Sequence, residues 1–212
     1  KEYRRQRQMC IRDRTSTIDQ AARALRQGEA VIFPTETVYG LGVSVRAATG
    51  PDVLYDLKER DRGKPISWLV GGADDLDRYG ARVPALARKL AGAYWPGPLT
   101  LVVHASDEVP ESFRSDAGTI GLRMPDNATA LALVRAAGCP LATTSANLSG
   151  RAAAGALDAL DPELAARVGT IVPDEADGAS SGVASTVLDC TQDPLAIVRE
   201  GAVTLADILA LA

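Results

Sequence analysis

Three hydroxyl groups and a carboxylate follow the apolar run at residues 30–33. The hydroxyls belong to Thr35, Thr37 and Tyr39 in the segment PTETVYGLG, and the carboxylate belongs to Glu36. Because the apolar run is short, partly β-branched and ends at a proline, it predicts a buried strand that stops at a turn. Polar groups at a strand's carboxyl end in an open α/β sheet could position a small polar ligand. The same residues would equally suit an ordinary turn, with threonine as a helix cap and glycine for positive φ.

Four basic residues crowd into seven positions where a predicted helix ends, at Lys58, Arg60, Arg62 and Lys64. Lysine supplies a point charge and arginine a planar fork, so the cluster suits the oxygens of a triphosphate. Cations at a helix C-terminus also complement the helix dipole, which gives the cluster a purely structural alternative. Lys58 and Arg60 are two positions apart and cannot share one helical face. If both bind one ligand, either the backbone leaves the helix between them or the ligand wraps around the helix end.

Two further segments place polar groups at predicted strand ends. Ser145 and Asn147 follow the short strand predicted at residues 141–144, where they could bind a phosphate or form a simple cap and turn. Arg123 ends the strand predicted at residues 119–124. An arginine in an apolar strand is rarely buried unless it is paired. Arg123 is therefore expected either to reach solvent or to face a carboxylate.

These segments, with YWPGPLT at residues 94–100 among them, occur in the order of the YrdC-like family, the threonylcarbamoyl-AMP synthases. The chain resembles that family from about Ile18 to about Leu205, and the ordered set is more specific than any one of its members. The resemblance implies a single-domain α/β fold with a twisted mixed β-sheet, surrounding helices and an open ligand groove.

The resemblance also implies site residues. It assigns the nucleotide to Lys58, Arg60, Lys64, Thr143, Ser145, Asn147 and Arg199, with Lys58, Arg60, Ser145 and Asn147 in catalytic roles. It assigns the amino-acid substrate to Thr35, Thr37, Tyr39, Arg123 and Ser185, with Arg123 on the threonine carboxylate. It does not identify the residues that would bind a metal ion. The sequence departs from the family pattern at Leu69, where many longer members have a histidine, and at Glu200, where a proline usually stands.

The chemistry implied by the resemblance needs no covalent enzyme intermediate. L-Threonine and bicarbonate form a carbamate, which attacks the α-phosphorus of ATP and releases pyrophosphate, with Mg²⁺ on the phosphates. The threonylcarbamoyl-AMP would pass to a tRNA threonylcarbamoyltransferase for the t6A modification of tRNA, and weak tRNA binding is a further expectation. The sequence itself has one histidine, His104, which lies in an apolar strand where a structural role is expected.

Two other functions stay open from the sequence. A paralogue with the same fold and a different acceptor would carry similar nucleotide motifs and differ only in the amino-acid pocket. A non-catalytic RNA-binding protein could use the same groove. The aromatic content of 4% counts against it, because single-stranded nucleic acids are bound on basic tracks with stacking platforms.

The elements that must position these groups alternate between helix and strand after Thr17, which is expected to cap the first helix. That helix should end at Gly28. We predict further helices at 51–60, 73–93 (two), 128–137, near 155–167 and 205–211, and strands at 29–33, 66–70, 99–104, 119–124, 141–144, 170–172, 185–189 and 196–199. The irregular spacing and the hairpin-like pairs favour a mixed sheet over a purely parallel one.

Residues 1–14 differ from the rest of the 212-residue chain. They hold six basic and two acidic residues out of totals of 23 and 27, so the body at residues 15–212 carries a net charge near −8. We expect a flexible tail, an RNA-binding arm or a non-native extension there. Three widely spaced cysteines argue against disulfides and zinc and predict reduced thiols, two of them in the core. With no signal-peptide or membrane pattern, we expect a short-form cytoplasmic enzyme without an additional C-terminal domain.

Overall fold

The computed structural model describes residues 15–59, 61–62, 66–174 and 180–211. Its helices are α1 (Ile18–Arg26), α2 (Asp52–Lys58), α3 (Asp75–Tyr79), α4 (Ala85–Tyr94), α5 (Ala128–Ala137), α6 (Pro162–Arg167) and α7 (Leu205–Leu209). Its strands are β1 (Val31–Phe33), β2 (Gly40–Ser44), β3 (Ser67–Leu69), β4 (Gly80–Ala81), β5 (Leu99–Ala105), β6 (Thr119–Arg123), β7 (Leu141–Ser145), β8 (Thr170–Ile171), β9 (Thr186–Asp189) and β10 (Ala196–Arg199). Short 3₁₀ turns lie at Glu111–Phe113 and Leu157–Ala159. Across this part of the chain, no helix is both long and apolar enough to cross a membrane.

The strands form one twisted mixed sheet in the order β10-β9-β5-β6-β3-β7-β2-β1-β8, with β4 paired to β5. The pairs β1–β8, β3–β6 and β5–β9 are parallel. The pairs β1–β2, β5–β6 and β9–β10 are antiparallel neighbours along the chain. Antiparallel neighbours need only a short connection, whereas parallel ones need a crossover, often through a helix. The predicted α/β class with a mixed sheet is therefore confirmed.

The two faces of the sheet differ in chemistry, because successive side chains along a strand point to opposite sides. One face is apolar and packs against helices in the main core, with strand residues Trp68, Leu101, Val103, Ile120, Leu122, Ala142 and Leu188. Alternate positions on the same strands line an open groove, and they include the small or polar residues Ser67, Thr100, Gly121 and Thr143 as well as Leu69, Val102 and Val187. The sheet thus buries a core on one face and forms the floor of the groove with the other.

A second, smaller core covers part of the groove-side face. Leu25 of α1 and Leu133 of α5 pack there on Phe33 and Leu141 of the sheet. Helix α1 begins with the predicted cap at Thr17, which forms a reciprocal capping box. The two helices close one part of this face, and the remainder stays open as the groove.

Strand β2 was not predicted, since its sequence GLGVS contains two glycines, which are depleted in strands. The glycines allow close packing: a Cβ on Gly42 would lie 2.9 Å from the Phe33 ring and 3.0 Å from the Thr143 hydroxyl. Helix α2 was predicted to reach residue 60 but ends at Lys58. The helical prediction near 155–167 resolves into the 3₁₀ turn at 157–159 and the short α6. Residues 1–14, where the tail was predicted, lie outside the described residues.

Candidate functional site

The polar face of the sheet is the floor of a groove of about 860 Å³. Its walls are built by residues that follow β1 (35 and 37–39), precede β6 (112–116) and follow β7 (147, 151 and 153), together with the segment before β9. The sequence predicted that the polar groups follow the ends of strands, and the segments that carry them do start there. The loop after β1 then reaches a side chain of β6, so the site extends over the face of the sheet and is not confined to its edge.

Lys58 lies beneath the loop that follows β7 and is 2% exposed. Its ammonium group donates to the main-chain oxygen of Asn147 at 2.6 Å and to the side-chain oxygen of Asn147 at 3.1 Å. It also donates to the main-chain oxygen of Ser145 and lies 3.5 Å from the Ser145 hydroxyl. The structure therefore brings three of the predicted site residues together. Lys58 supports the loop from below and is not among the residues that line the groove.

Asn147 organises the loop after β7. Its side-chain oxygen accepts from the Ser145 hydroxyl at 2.5 Å, and its amide donates to the main-chain oxygens of Leu148 and Arg151 at 3.0 and 2.7 Å. Ser145 and Asn147 both line the groove. Their polar groups are thus held in fixed positions at this wall, above the charge of Lys58.

The backbone leaves the helix directly after Lys58. Glu59 adopts the left-handed conformation, with φ 52° and ψ 46°. The backbone therefore departs from the helix between positions 58 and 60, which is the first of the two conditions that the sequence left open. Arg60 and Lys64 themselves lie outside the described residues. Arg62 lies at the groove, two-thirds exposed, and its guanidinium is 3.2 Å from Asp56.

Arg123 ends β6 on the floor of the groove and is 7% exposed. Its Nε donates to the main-chain oxygen of Gly97 at 3.1 Å, and its Nη2 donates to the Thr37 hydroxyl at 3.0 Å. Nη2 also lies 2.7 Å from Oε1 of Glu36. From the sequence, Arg123 was expected either to reach solvent or to face a carboxylate. In the structure it is buried and faces a carboxylate.

Thr37 and Thr35 extend this network through their hydroxyls, whose oxygens are 2.9 Å apart. Thr35 donates its one hydroxyl hydrogen to the main-chain oxygen of Val38 at 2.6 Å. Thr37 must therefore be the donor to Thr35, because a hydroxyl has a single hydrogen. Both threonines build the loop after β1, and Thr37 accepts from Arg123 while it donates to Thr35.

Tyr39 is buried, and its hydroxyl accepts from the main-chain N–H of Asp174 at 3.2 Å. Burial raises the pKa of Tyr39, and the hydrogen bond from Asp174 offsets only part of that rise. The phenol is therefore neutral in the physiological range. Tyr39 belongs to the main core and is also among the residues that line the groove.

Ser185 and Arg199 form a separate cluster at another wall. The Arg199 guanidinium donates to the main-chain oxygen of Ser185 at 2.8 Å and to its hydroxyl at 3.1 Å. The Ser185 hydroxyl is also 3.0 Å from that of Thr100 on the floor. The neighbouring Thr186 is fully buried, and its hydroxyl donates to the main-chain oxygen of Val203 and accepts from Gly201. These bonds attach the C-terminal segment to β9.

The remaining predicted site residue, Thr143, lies on the floor in β7, between β2 and β3, and donates to the main-chain oxygen of Leu141 at 3.0 Å.

Sequence reasoning missed several floor residues, among them Ser67, Thr100, Thr119 and Gly121. The alternation along β6, in which Ile120 and Leu122 are apolar whereas Thr119 and Gly121 are not, was the signal that could have found the two floor residues of that strand. Among the described residues, no group of three metal-ligating His, Cys, Asp or Glu side chains occurs. His104 pairs with Ala81 and Thr119 as a strand residue outside the groove lining.

A family model described as "Telomere recombination", that of the Sua5, YciO and YrdC proteins, matches residues 23–201. The threonylcarbamoyl-AMP synthase of Bacillus subtilis is 35% identical over 208 residues, which are 95% of this chain and 59% of that protein. The putative threonylcarbamoyl-AMP synthase of Mycobacterium leprae is 35% identical over 92% of this chain and 87% of its own length. The chain thus spans a little over half of some relatives and most of others.

The crystal structure of Pyrococcus abyssi Sua5 complexed with L-threonine superimposes with a TM-score of 0.84 at 33% identity, over 92% of this chain and 56% of that one. Escherichia coli YciO gives a TM-score of 0.75 at 28% identity, over 87% of this chain and 89% of that one.

Proposed function

The chain belongs to the Sua5/YciO/YrdC family, and we propose that it is an ATP-dependent L-threonylcarbamoyladenylate synthase, a nucleotidyltransferase. The reaction would convert L-threonine, bicarbonate and ATP into threonylcarbamoyl-AMP, pyrophosphate and the water released when the carbamate forms. One observation carries the proposal: two different binding groups line a single groove. They are the polar loop of Ser145 and Asn147, which covers the buried Lys58, and Arg123, whose guanidinium has one nitrogen available to bind a ligand.

The nucleotide would lie along the wall formed by the loop after β7. Ser145 and Asn147 present fixed polar groups there, and Lys58 lies directly below them. A positive charge in a poorly solvated position stabilises negative charge as it develops on the phosphates. Arg199 and Thr143 line the same groove, and Arg60 and Lys64 complete the proposed set of nucleotide contacts.

The amino acid would bind at Arg123. Its guanidinium is the charged group of the network that includes Thr35 and Thr37, and a carboxylate is its natural ligand. Tyr39 and Ser185 line the groove around it. The related P. abyssi Sua5 has been crystallised with L-threonine, which supports this class of substrate.

Catalysis would rest on positioning and on fixed charge. Once threonine and bicarbonate have formed a carbamate, its oxygen attacks the α-phosphorus of ATP and pyrophosphate leaves. The protein needs no nucleophile of its own for this step, so its task is to align the carbamate with the phosphate and to stabilise the charge that develops. The residues proposed for the amino acid and for the nucleotide lie in different parts of one groove, with Arg123 on the floor and Ser145 and Asn147 at the wall after β7.

Magnesium would enter with the triphosphate, as a counter-ion of the substrate. Mg²⁺ keeps several of its waters and is usually bound through substrate phosphates and one or two carboxylates. In the described chain, no three His, Cys, Asp or Glu side chains form a cluster that could hold the ion, so we assign it no protein ligands. The product would be transferred in the cytoplasm to a tRNA threonylcarbamoyltransferase for t6A formation, with weak tRNA binding at most.

The second candidate is the same reaction with a different amino acid. Leu69 pairs directly with Arg123 across β3 and β6, is 3% exposed and lines the groove. An apolar side chain beside the proposed carboxylate site would contact the side chain of the bound amino acid, which makes this position the natural place for acceptor preference to change.

The proposal is tested by incubating the protein with ATP, bicarbonate and Mg²⁺ and measuring pyrophosphate release with L-threonine, L-serine or no amino acid. Mass spectrometry of the nucleotide product identifies the adenylate. Release that depends on both threonine and bicarbonate, with threonylcarbamoyl-AMP as product, is the expected result. Turnover with another amino acid and not with threonine would favour the second candidate, and release without an amino acid would contradict both.

A further inference from the structure

Glu36 lies between the two threonines of the loop after β1, and its main chain is fixed from outside that loop. Its carbonyl oxygen accepts from the N–H of Ser181 at 2.8 Å, and the next carbonyl, that of Thr37, accepts from Gly182 at 2.9 Å. The Glu36 side chain is one-fifth exposed and is not part of the groove lining. It therefore lies behind the floor residues and does not face a ligand in the groove.

The carboxylate of Glu36 depends on Arg123. Both of its oxygens are shielded from solvent, and neither accepts a well-aligned hydrogen bond from the described residues. Nη2 of Arg123 is 2.7 Å from Oε1, and this ion pair is the contact that the described chain gives Glu36. A carboxylate removed from water is costly unless a charge lies beside it, so the pair holds both side chains in place.

The ion pair with Glu36 also determines which N–H donors of Arg123 remain available to a ligand. A guanidinium has five N–H donors in one plane, on Nε, Nη1 and Nη2. Nε is used by Gly97, and Nη2 is used by Thr37 and lies against Glu36. Because the group is rigid and planar, fixing two nitrogens fixes the direction of the third. Nη1 is the nitrogen without a hydrogen bond or ion pair to any described residue, and Arg123 lines the groove.

We propose that Glu36 is a positioning residue for the amino-acid subsite: by holding Nη2 of Arg123, it aims Nη1 into the groove, so the carboxylate of the amino acid binds end-on to Nη1. This inference rests on the proposed function for the identity of the ligand. It differs from a two-nitrogen fork, which would require Glu36 or Thr37 to release Nη2.

The first test compares Glu36→Gln with wild type in steady-state kinetics. The amide keeps the shape of the side chain but loses the charge that holds Nη2. The threonine KM should rise about tenfold, as for one lost hydrogen bond to a charged group, while the ATP KM and the kcat at saturating threonine stay within about threefold. Glu108→Gln is the matched control, because it makes the same change in an exposed ion pair with Arg78 and should alter nothing. An unchanged or lower threonine KM in Glu36→Gln would overturn the proposal.

The second test asks whether the effect passes through Arg123. In an Arg123→Lys background, Glu36→Gln should have no further effect on the threonine KM, because the group that it positions is absent. An effect of the same size in both backgrounds would mean that Glu36 acts by another route. Glu36→Asp keeps the charge but shortens the reach, and its threonine KM should lie between those of wild type and Glu36→Gln.

The third test does not depend on activity. In ¹⁵N NMR spectra of the arginine side chains, the Arg123 guanidinium, assigned by its loss in Arg123→Lys, should be rotationally restrained in wild type and less restrained in Glu36→Gln, where the bonds to Gly97 and Thr37 remain. Restraint of equal strength in wild type and Glu36→Gln would overturn the positioning role. If the restraint weakens as expected but wild type makes no threonine-dependent product, the positioning role stands and the proposed function fails.

Discussion

Lys58 and Arg123 are both nearly inaccessible cations beside the same groove, at 2% and 7% exposure, but the protein surrounds them differently. Lys58 donates to oxygens of Ser145 and Asn147 in the loop above it. Arg123 is held by a carboxylate, a hydroxyl and a main-chain oxygen. Lys58 lies under a loop, whereas Arg123 lines the groove itself.

The difference separates two uses of a buried charge. In the region around Lys58, here called the Lys58 end of the groove, the charged group supports the loop. A ligand would contact the polar groups of that loop and not the ammonium group. At the Arg123 end, the charged group is presented directly, and Glu36 balances it from behind. Removing the cation should therefore have different consequences at the two ends.

The largest effect is expected on stability at the Arg123 end. Arg123→Met would leave the Glu36 carboxylate buried without its partner, which should lower the free energy of unfolding by about 3 kcal/mol. Adding Glu36→Gln should recover much of that loss, because no charge is then left unpaired. Chemical denaturation of the two variants measures this, and a double variant no more stable than Arg123→Met would contradict the account of the pair.

The next effect is on turnover at the Lys58 end. Lys58→Ala removes the charge beneath Ser145 and Asn147, and kcat should fall on the order of 10²-fold while the protein stays folded. Lys89→Ala, a change at an exposed lysine of α4, is the matched control. Near-normal turnover in Lys58→Ala would remove Lys58 from the catalytic assignment.

Arg123→Lys should act on threonine and not on ATP. A lysine has three donors, and Arg123 already commits donors to Gly97, Thr37 and Glu36. The substitution therefore keeps the charge but leaves little for a substrate, and the threonine KM should rise at least about tenfold. If the ATP KM rises instead and the threonine KM does not, Arg123 belongs to the nucleotide site.

The smallest effect tests the turn beside Lys58. Glu59→Gly relieves a left-handed backbone that costs a non-glycine residue about 1 kcal/mol, and it loses ion pairing with Arg167, an exposed contact worth less than that. The melting temperature should therefore stay equal or rise by about 2 to 4 °C. A fall of several degrees would show that the Glu59 side chain, and not the backbone, holds the turn.

The sequence predicted the elements that have a clear period and missed those that depend on distant neighbours. The capped helix α1 and the strands β5 and β6 have strong local patterns and were predicted closely. Strand β2 was missed because its glycines are required by close contact with the ring of Phe33 and with Thr143, which lies about a hundred residues away in the sequence.

The two cysteines expected in the core, Cys139 and Cys190, are buried, and burial raises the pKa of the Cys190 thiol to about 12.

The site shows the same limit. Ser145, Asn147 and Lys58 were all assigned to the nucleotide, and the structure joins Lys58 to the loop that carries the other two. That Lys58 would be covered by the loop was not predictable, because a run of basic residues in a sequence suggests exposure. The contact between Glu36 and Arg123 was also missed, since 87 residues separate them and no local pattern links a loop to the end of β6.

A structure of the protein crystallised with L-threonine and a non-hydrolysable ATP analogue would test the central claim most directly. We predict the threonine carboxylate within hydrogen-bonding distance of Nη1 of Arg123 and the phosphates against Ser145 and Asn147, with the amino group on the side facing the α-phosphate. Threonine bound away from Arg123, or phosphates bound at Arg123 in place of the amino acid, would contradict the assignment of the two ends.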